Sequence, residues 1–214
     1  MTKNKGNLVV ISGFSGAGKG TVVRELVDRF GYSLSVSATT RKPREGEIDG
    51  VHYFFHSREE FEDLIRENGL IEYARYVDNY YGTPRRFVEE GLEEGKTVIL
   101  EIEVQGAMAI RGQYPDAILI FITAPSAREL ADRLAGRGTE SEEVVNRRLE
   151  RAFDEADSIE AYDYIVCNEQ GKVSDCAETI RSIILAENCR LSRQASLARD
   201  MKKGFEEILS SNRG

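Results

Sequence analysis

The chain of 214 residues contains no tryptophan, two histidines, three cysteines and four prolines. The cysteines, Cys167, Cys176 and Cys189, are odd in number, sit late and lack metal-ligand spacing, so they read as reduced thiols of a cytoplasmic protein. His52 and His56 fall in "HYFFH" with no acidic or cysteine partner nearby, and read as packing residues rather than metal ligands. Long apolar runs are also missing. None approaches the ~20 residues needed to cross a bilayer. The early run "LVVIS" is shorter than a signal-peptide core of roughly 7–15 residues. Positive charge is in deficit, with 29 basic against 37 acidic side chains and a net charge of −8. That argues against nucleic acid or an anionic membrane as the main partner, although local basic clusters can still bind phosphate. What remains, 41% hydrophobic and 31% charged residues, suits one soluble globular domain with room for inserted lobes.

Short apolar runs alternate with helical patterns. "LVVIS" (8–12) ends in a glycine loop, as a buried parallel strand does. Val22, Val23, Leu26, Val27 and Phe30 then recur at helical spacing, and Gly31 closes that helix. Residues 35–83 are rich in Thr, Arg, Tyr and Gly and contain one clear helix. Ser57 and Glu60 form its capping box, and Gly69 is expected to stop it. "TVILEIE" (97–103), "AILIFITAP" (117–125) and "YDYIVCN" (162–168) return to the buried-strand pattern. Helices are expected at "QGAMAIRGQY", after Ser126 as far as "GRG" (136–138), from Ser141, and over about 172–192. The expectation is an α/β fold: a parallel sheet of the P-loop NTPase type flanked by helices, with an inserted lobe and a helical lid. The core takes 1–34, 84–127 and 159–192, the lobe 35–83, the lid 128–158 and a helical tail 193–214. Leu197, Met201, Phe205, Ile208 and Leu209 lie near helical spacing in that tail, which can dock on the body, dock on another subunit or fray.

"GFSGAGKGT" (13–21) is a P-loop variant. Glycines let the backbone turn its N–H groups inward, and the following helix N-terminus adds its dipole, so Gly13, Phe14, Ser15, Gly16, Ala17, Gly18, Lys19, Gly20 and Thr21 are expected to hold a triphosphate. Lys19 reaches the β- and γ-phosphates as a point charge. The strict pattern puts Ser or Thr directly after the lysine. Here Gly20 takes that place and Thr21 comes one residue late, turned by ~100°. Thr21 is therefore not assigned to the metal. Downstream, Arg41 and Arg44 flank Pro43 and suit a bidentate clamp on a second phosphate, with Tyr53 and Tyr81 as hydroxyl donors. Two phosphate sites facing each other describe phosphoryl transfer between nucleotides.

"SVSATTRKPREGEIDGVHYFF", "IEYARYVDNYYGTPR", "VILEIEVQGA" and "RLAGRGTESEEVVNRRL" occur in this order behind the loop. Together, over about residues 7–190, the chain resembles guanylate kinase. The resemblance implies ATP and GMP (and dGMP) as substrates, with Mg²⁺ accompanying ATP. It implies that Arg41, Arg44, Tyr53 and Tyr81 hold the GMP phosphate while Ser37, Glu72, Thr83 and Glu103 surround the guanine. A carboxylate such as Glu72 accepts from guanine N1–H and N2 together, and adenine offers neither donor. Sites that demand a hydrogen bond discriminate by ~10⁴–10⁵. Glu101 and Glu103, two apart on an expected strand, are read on one face, with Glu101 near the magnesium waters, behind its direct ligands, and Glu103 at the guanine. Many relatives carry aspartates here, so "LEIE" departs from that pattern.

By motif position Arg133, Arg137 and Arg148 match the family's lid arginines, which would neutralise charge on the transferring phosphoryl group together with Lys19 and Arg41. Arg147 and Arg151 read as solvent-facing or paired with Glu150 and Glu155. Two rivals remain: another nucleoside monophosphate kinase, suggested by the "GKGT" loop ending, and a non-catalytic module of the same fold that binds phosphopeptides. Lys19 and the lid arginines weigh against the second. No nucleic acid or membrane partner is expected, and both a monomer and a homo-oligomer are compatible with the sequence.

Overall fold

Alternation inside the apolar runs sets the layers. A computed structural model describes residues 6–76, 78–136 and 142–211. In strand β1 (Asn7–Gly13) every residue is buried. Val9 and Ile11 face one core cluster while Leu8 and Val10 face another, because successive strand side chains point to opposite faces. Strand β7 (Thr97–Glu101) splits in the same way, Ile99 to the first cluster and Val98 and Leu100 to the second. In β8 (Ile118–Thr123), Ile118, Ile120 and Ile122 join the first cluster and Leu119 the second. A sheet covered on both faces needs near-continuous apolar strands, and this one is parallel throughout. Its order is β2-β7-β1-β8-β9, where β2 is Ser33–Leu34 and β9 is Tyr164–Cys167.

Helix α1 (Lys19–Phe30) buries Val22, Val23 and Leu26 on the first face and ends at Gly31, whose φ of 68° lets its N–H reach Val27 O. The same face is covered by residues of α5 (Ala127–Ala135), α6 (Glu142–Ala156) and α7 (Val173–Asn188). The second face is covered by α3 (Arg85–Glu93) and α4 (Val104–Gln113). Helix α3 is not among the elements expected from the sequence, although Val88 and Leu92 give it a buried stripe.

The lobe has its own four-stranded sheet, order β4-β3-β6-β5, with β3 Ala38–Thr39, β4 Phe54–Phe55, β5 Leu70–Tyr76 and β6 Asn79–Pro84. Strands β5 and β6 are antiparallel, which pairs Glu72 with Thr83. Helix α2 (Arg58–Arg66) starts with the expected capping box of Ser57 and Glu60. Its end differs from the expectation. Asn68, not Gly69, takes the left-handed conformation (φ 56°). Asn68 N–H donates to Ile65 O and Gly69 N–H to Leu64 O, the pair of bonds that closes a Schellman motif. Asparagine tolerates this region because its short polar side chain can hydrogen-bond locally. Phe61 is fully buried and stacks on Tyr80 at 5.3 Å. Truncation to alanine there would cost about 3–5 kcal/mol.

Candidate active site

The loop after β1 folds as a nest. Ala17 N–H donates to Phe14 O at 3.1 Å, and Gly16 and Gly18 have φ of 89° and 85°. Gly13 lies so near β8 that a Cβ would stand 2.1 Å from Ile122 O. Phe14 anchors the loop edge-on against Phe121 at 4.9 Å. Lys19 opens α1 and donates from Nζ to Gly13 O at 2.6 Å. Phe14, Ser15, Gly16, Gly18, Lys19, Gly20 and Thr21 line a cavity of about 620 Å³ that also includes Glu101. Ala17 is buried beneath it. Asn168, beyond β9, supports the loop from below, where its Nδ2 donates to Ala17 O at 2.8 Å. Asn168 is absent from the expected site residues, and its position just past an apolar strand was the available signal.

Glu101 ends β7, half-buried. Burial pushes its carboxyl above the ordinary range; Lys19 opposes that shift and Glu103 adds to it. A Cβ on Gly20 would stand 3.4 Å from Glu101 Oε1. The position where the strict motif carries its hydroxyl therefore faces this carboxylate, and Thr21 is exposed. A hard cation takes oxygen ligands, and the Glu101 carboxylate, which lines the same cavity as the glycine loop, is of that type.

The expected strand does not continue to Glu103. Strand β7 stops at Glu101 because Glu103 becomes the N-cap residue of α4. Glu103 is exposed, and its Oε2 accepts from Arg151 Nη2 at 2.9 Å. Arg151 also donates to Glu155 at 2.7 Å, and Arg147 is exposed.

A second cavity, about 370 Å³, includes Ser37, Tyr53, Glu72, Tyr81, Glu101, Glu103 and Gly106. Glu72 is 7% exposed, and its Oε1 accepts a 2.6 Å bond from the Thr83 hydroxyl. Burial raises its carboxyl above the usual range, while the bonds from Thr83 act the other way. Arg41 forms a bidentate pair with Glu47, both bonds 2.8 Å. Its guanidinium lies 5.3 Å from the Tyr53 ring centroid, and a Tyr81 hydrogen bond helps keep it charged. Glu47 also accepts from Arg44 N–H at 2.7 Å, and these contacts hold its carboxyl down at about 2. Arg41, Tyr53 and Tyr81 therefore come together, whereas the exposed Arg44 joins the group through its backbone. The two cavities share Lys19, Leu34 and Glu101.

Two expected lid arginines fall within the described residues. Arg148 Nη1 reaches Ser15 Oγ at 3.4 Å, which brings α6 to the loop. Arg133 donates to Glu129 at 2.5 Å and to Asn168 O at 2.8 Å. Arg137 lies outside the described residues.

The guanylate kinase family model matches residues 5–187. The chain belongs to the guanylate kinase family. It is 50% identical over 209 residues to the guanylate kinase of Bacillus anthracis, covering 96% of this chain and all of that one. It is 47% identical over 196 residues to the guanylate kinase of Caldanaerobacter subterraneus, covering 91% and 94%. The crystal structure of guanylate kinase from Anaplasma phagocytophilum superposes with a TM-score of 0.73 at 33% identity, over 90% of this chain and 92% of that one. Guanylate kinase membership fits the pairing of a glycine-loop cavity with a second, carboxylate-lined cavity.

Proposed function

We propose that this chain is an ATP:GMP phosphotransferase, moving the γ-phosphoryl group of ATP to GMP, or to dGMP, to give ADP and GDP. The observation that carries this reading is the meeting of two cavities at Lys19 and Glu101. A donor in the P-loop and an acceptor in the lobe then present their phosphates to one another. In the proposal, residues 13–21 bind ATP. Arg41, Tyr53 and Tyr81 hold the acceptor phosphate, with Arg44 at its rim. Ser37, Glu72 and Thr83 read the guanine, with Glu103 at the cavity edge. The proposal keeps a core of 1–34, 84–127 and 159–192, a lobe of 35–83 and a lid of 128–158.

No general base is needed, because the attacking oxygen belongs to a phosphate with a second pKa of about 6. Alignment and charge neutralisation by Lys19, Arg41, Arg133, Arg137 and Arg148 would supply the catalysis. Lys19 and Glu101 would lie beside the Mg²⁺ that accompanies ATP, which would supply further charge neutralisation. Glu101 is the residue proposed to orient its waters. Closure of 128–158 over the donor would exclude water, the competing acceptor.

ADP release from ATP with GMP, dGMP, AMP and UMP as acceptors tests the reading. GMP should turn over best. Binding of GMP without turnover would leave a non-catalytic module, and faster turnover of AMP would reject the guanine pocket.

A further inference from the structure

Glu103 occupies the N-cap position of α4, yet its side chain makes no capping bond to that helix. An aspartate at an N-cap accepts from a backbone N–H two or three residues on, and that bond fixes its rotamer. Glu103 is one methylene longer, and its carboxylate is held from another element. Its Oε2 accepts from Arg151 Nη2 at 2.9 Å, while Arg151 Nε donates to Glu155 Oε1 at 2.7 Å. The Glu155 side chain keeps 12% of its surface exposed, against 53% for Glu103. One guanidinium therefore ties an exposed carboxylate at the end of the sheet to a well-covered one on α6. Helix α6 is itself set against the core: Arg148, three residues before Arg151 and on the same side of the helix, reaches Ser15 Oγ at 3.4 Å. Arg151 is not among the described residues that line either cavity, whereas Glu103 lines the second. The bond to Arg151 engages Oε2 and leaves Oε1 for a donor in that cavity.

We propose that Arg151 is a positioning residue of the acceptor site, holding the Glu103 carboxylate in the orientation that meets the guanine. The inference rests on the guanine reading of the second cavity. An exposed glutamate samples many rotamers, and arresting it on binding loses entropy. Arg151 arrests it before the nucleotide arrives, so less is lost when GMP binds. Charge follows the same logic. Glu103 already pushes the Glu101 carboxyl up, and without a cation it would also stand as a bare negative charge beside an anionic acceptor. Pairing with Arg151 offsets that charge and keeps Oε1 as an acceptor. Both effects act through Glu103, so they vanish when Glu103 is removed. A direct pull of Arg151 on the nucleotide, or a loosening of α6, would persist.

Calorimetric titration of the full chain with GMP, and separately with ADP, tests this, with thermal melting as the control for folding. Arg151→Ala has no backbone reason to harm α6, because alanine is the best helix former. It should weaken GMP about 10-fold and leave ADP within about two-fold of wild type. Glu103→Ala should weaken GMP by a similar factor. In that background Arg151→Ala should change GMP affinity by less than about two-fold, because residues that act as a unit are not additive. Additive losses would overturn the proposal, since Arg151 would then act by its own charge or through the packing of α6. So would a GMP affinity unchanged by Arg151→Ala, or a loss of ADP affinity equal to that of GMP. A wild type that does not prefer GMP to AMP would instead overturn the guanine reading itself, and the assignment of Arg151 with it.

Discussion

The hydroxyl of Thr83 donates a 2.6 Å hydrogen bond to Oε1 of Glu72, a carboxylate that keeps only 7% of its surface exposed. The antiparallel register of β5 and β6 sets these two residues opposite each other, and it leaves Glu72 lining the lobe cavity. Glu72→Gln keeps the size and the Thr83 contact but loses the charge. Hydrogen bonds to charged groups are worth about 1.5–3 kcal/mol, so the KM for GMP should rise about 10- to 100-fold while the KM for ATP changes little. Steady-state titration of each substrate reads this. An equal loss on both sides would remove Glu72 from the base pocket.

The pH dependence of the same group has a definite sign. Burial raises the Glu72 carboxyl in the folded protein. As pH climbs from the ordinary carboxylate value of 4.5 to that raised value, the unfolded chain ionises first, and the empty fold loses stability. Below the window the group is neutral in both states; above it the loss is complete. GMP recognition runs the other way, because only the carboxylate accepts two bonds. GMP affinity measured by calorimetry should therefore strengthen with pH across this window. Glu72→Gln should retain only the changes due to the GMP phosphate and to Glu101, whose carboxyl lines the same cavity and is also raised by burial. Identical slopes for wild type and variant would contradict the assignment.

Gly106 makes a sharper test of geometry. It sits in the first turn of α4, and a Cβ there would stand 2.6 Å from Glu72 Oε2. Alanine is the better helix former, so Gly106→Ala has no backbone reason to harm the fold. It must instead displace the Glu72 carboxylate. The expected result is a rise of about 10-fold or more in the KM for GMP, with thermal stability and ATP affinity near wild type; a discrimination of that size needs about 1.4 kcal/mol. Unchanged GMP kinetics would mean that the carboxylate position is not critical.

Much of the fold was legible because its physics is local. Period-two burial on both faces of β1, β7 and β8 needs only apolar runs, and the Ser57–Glu60 box needs only two residues at the right spacing. Helix α3 escaped because its stripe is short and acidic residues crowd it. Glu103 misled because a two-residue offset means one face only while the strand lasts, and the helix that follows begins at that residue. The site was readable as motifs but not as contacts. The ion pair of Arg41 with Glu47, the pressure of Gly106 on Glu72 and the support of the loop by Asn168 all join segments that only the folded chain brings together.

Gly18 and Asn168 give the corresponding test on the ATP side. Gly18 holds φ 85°, and a Cβ there would stand 2.6 Å from Asn168 Nδ2, the atom that donates to Ala17 O. Gly18→Ala therefore combines about 1–2 kcal/mol of left-handed backbone strain with loss of a bond worth about 1 kcal/mol. Asn168→Ala removes the bond without the strain. The order expected for the KM of ATP is wild type, then Asn168→Ala, then Gly18→Ala, with the last raised about 10-fold or more and GMP affinity little changed in either. Thermal melts should fall in the same order. If Asn168→Ala matches the wild type in both ATP kinetics and melting, the bond to Ala17 does not support the loop. If Gly18→Ala weakens GMP as much as ATP, the strain is not confined to the donor site.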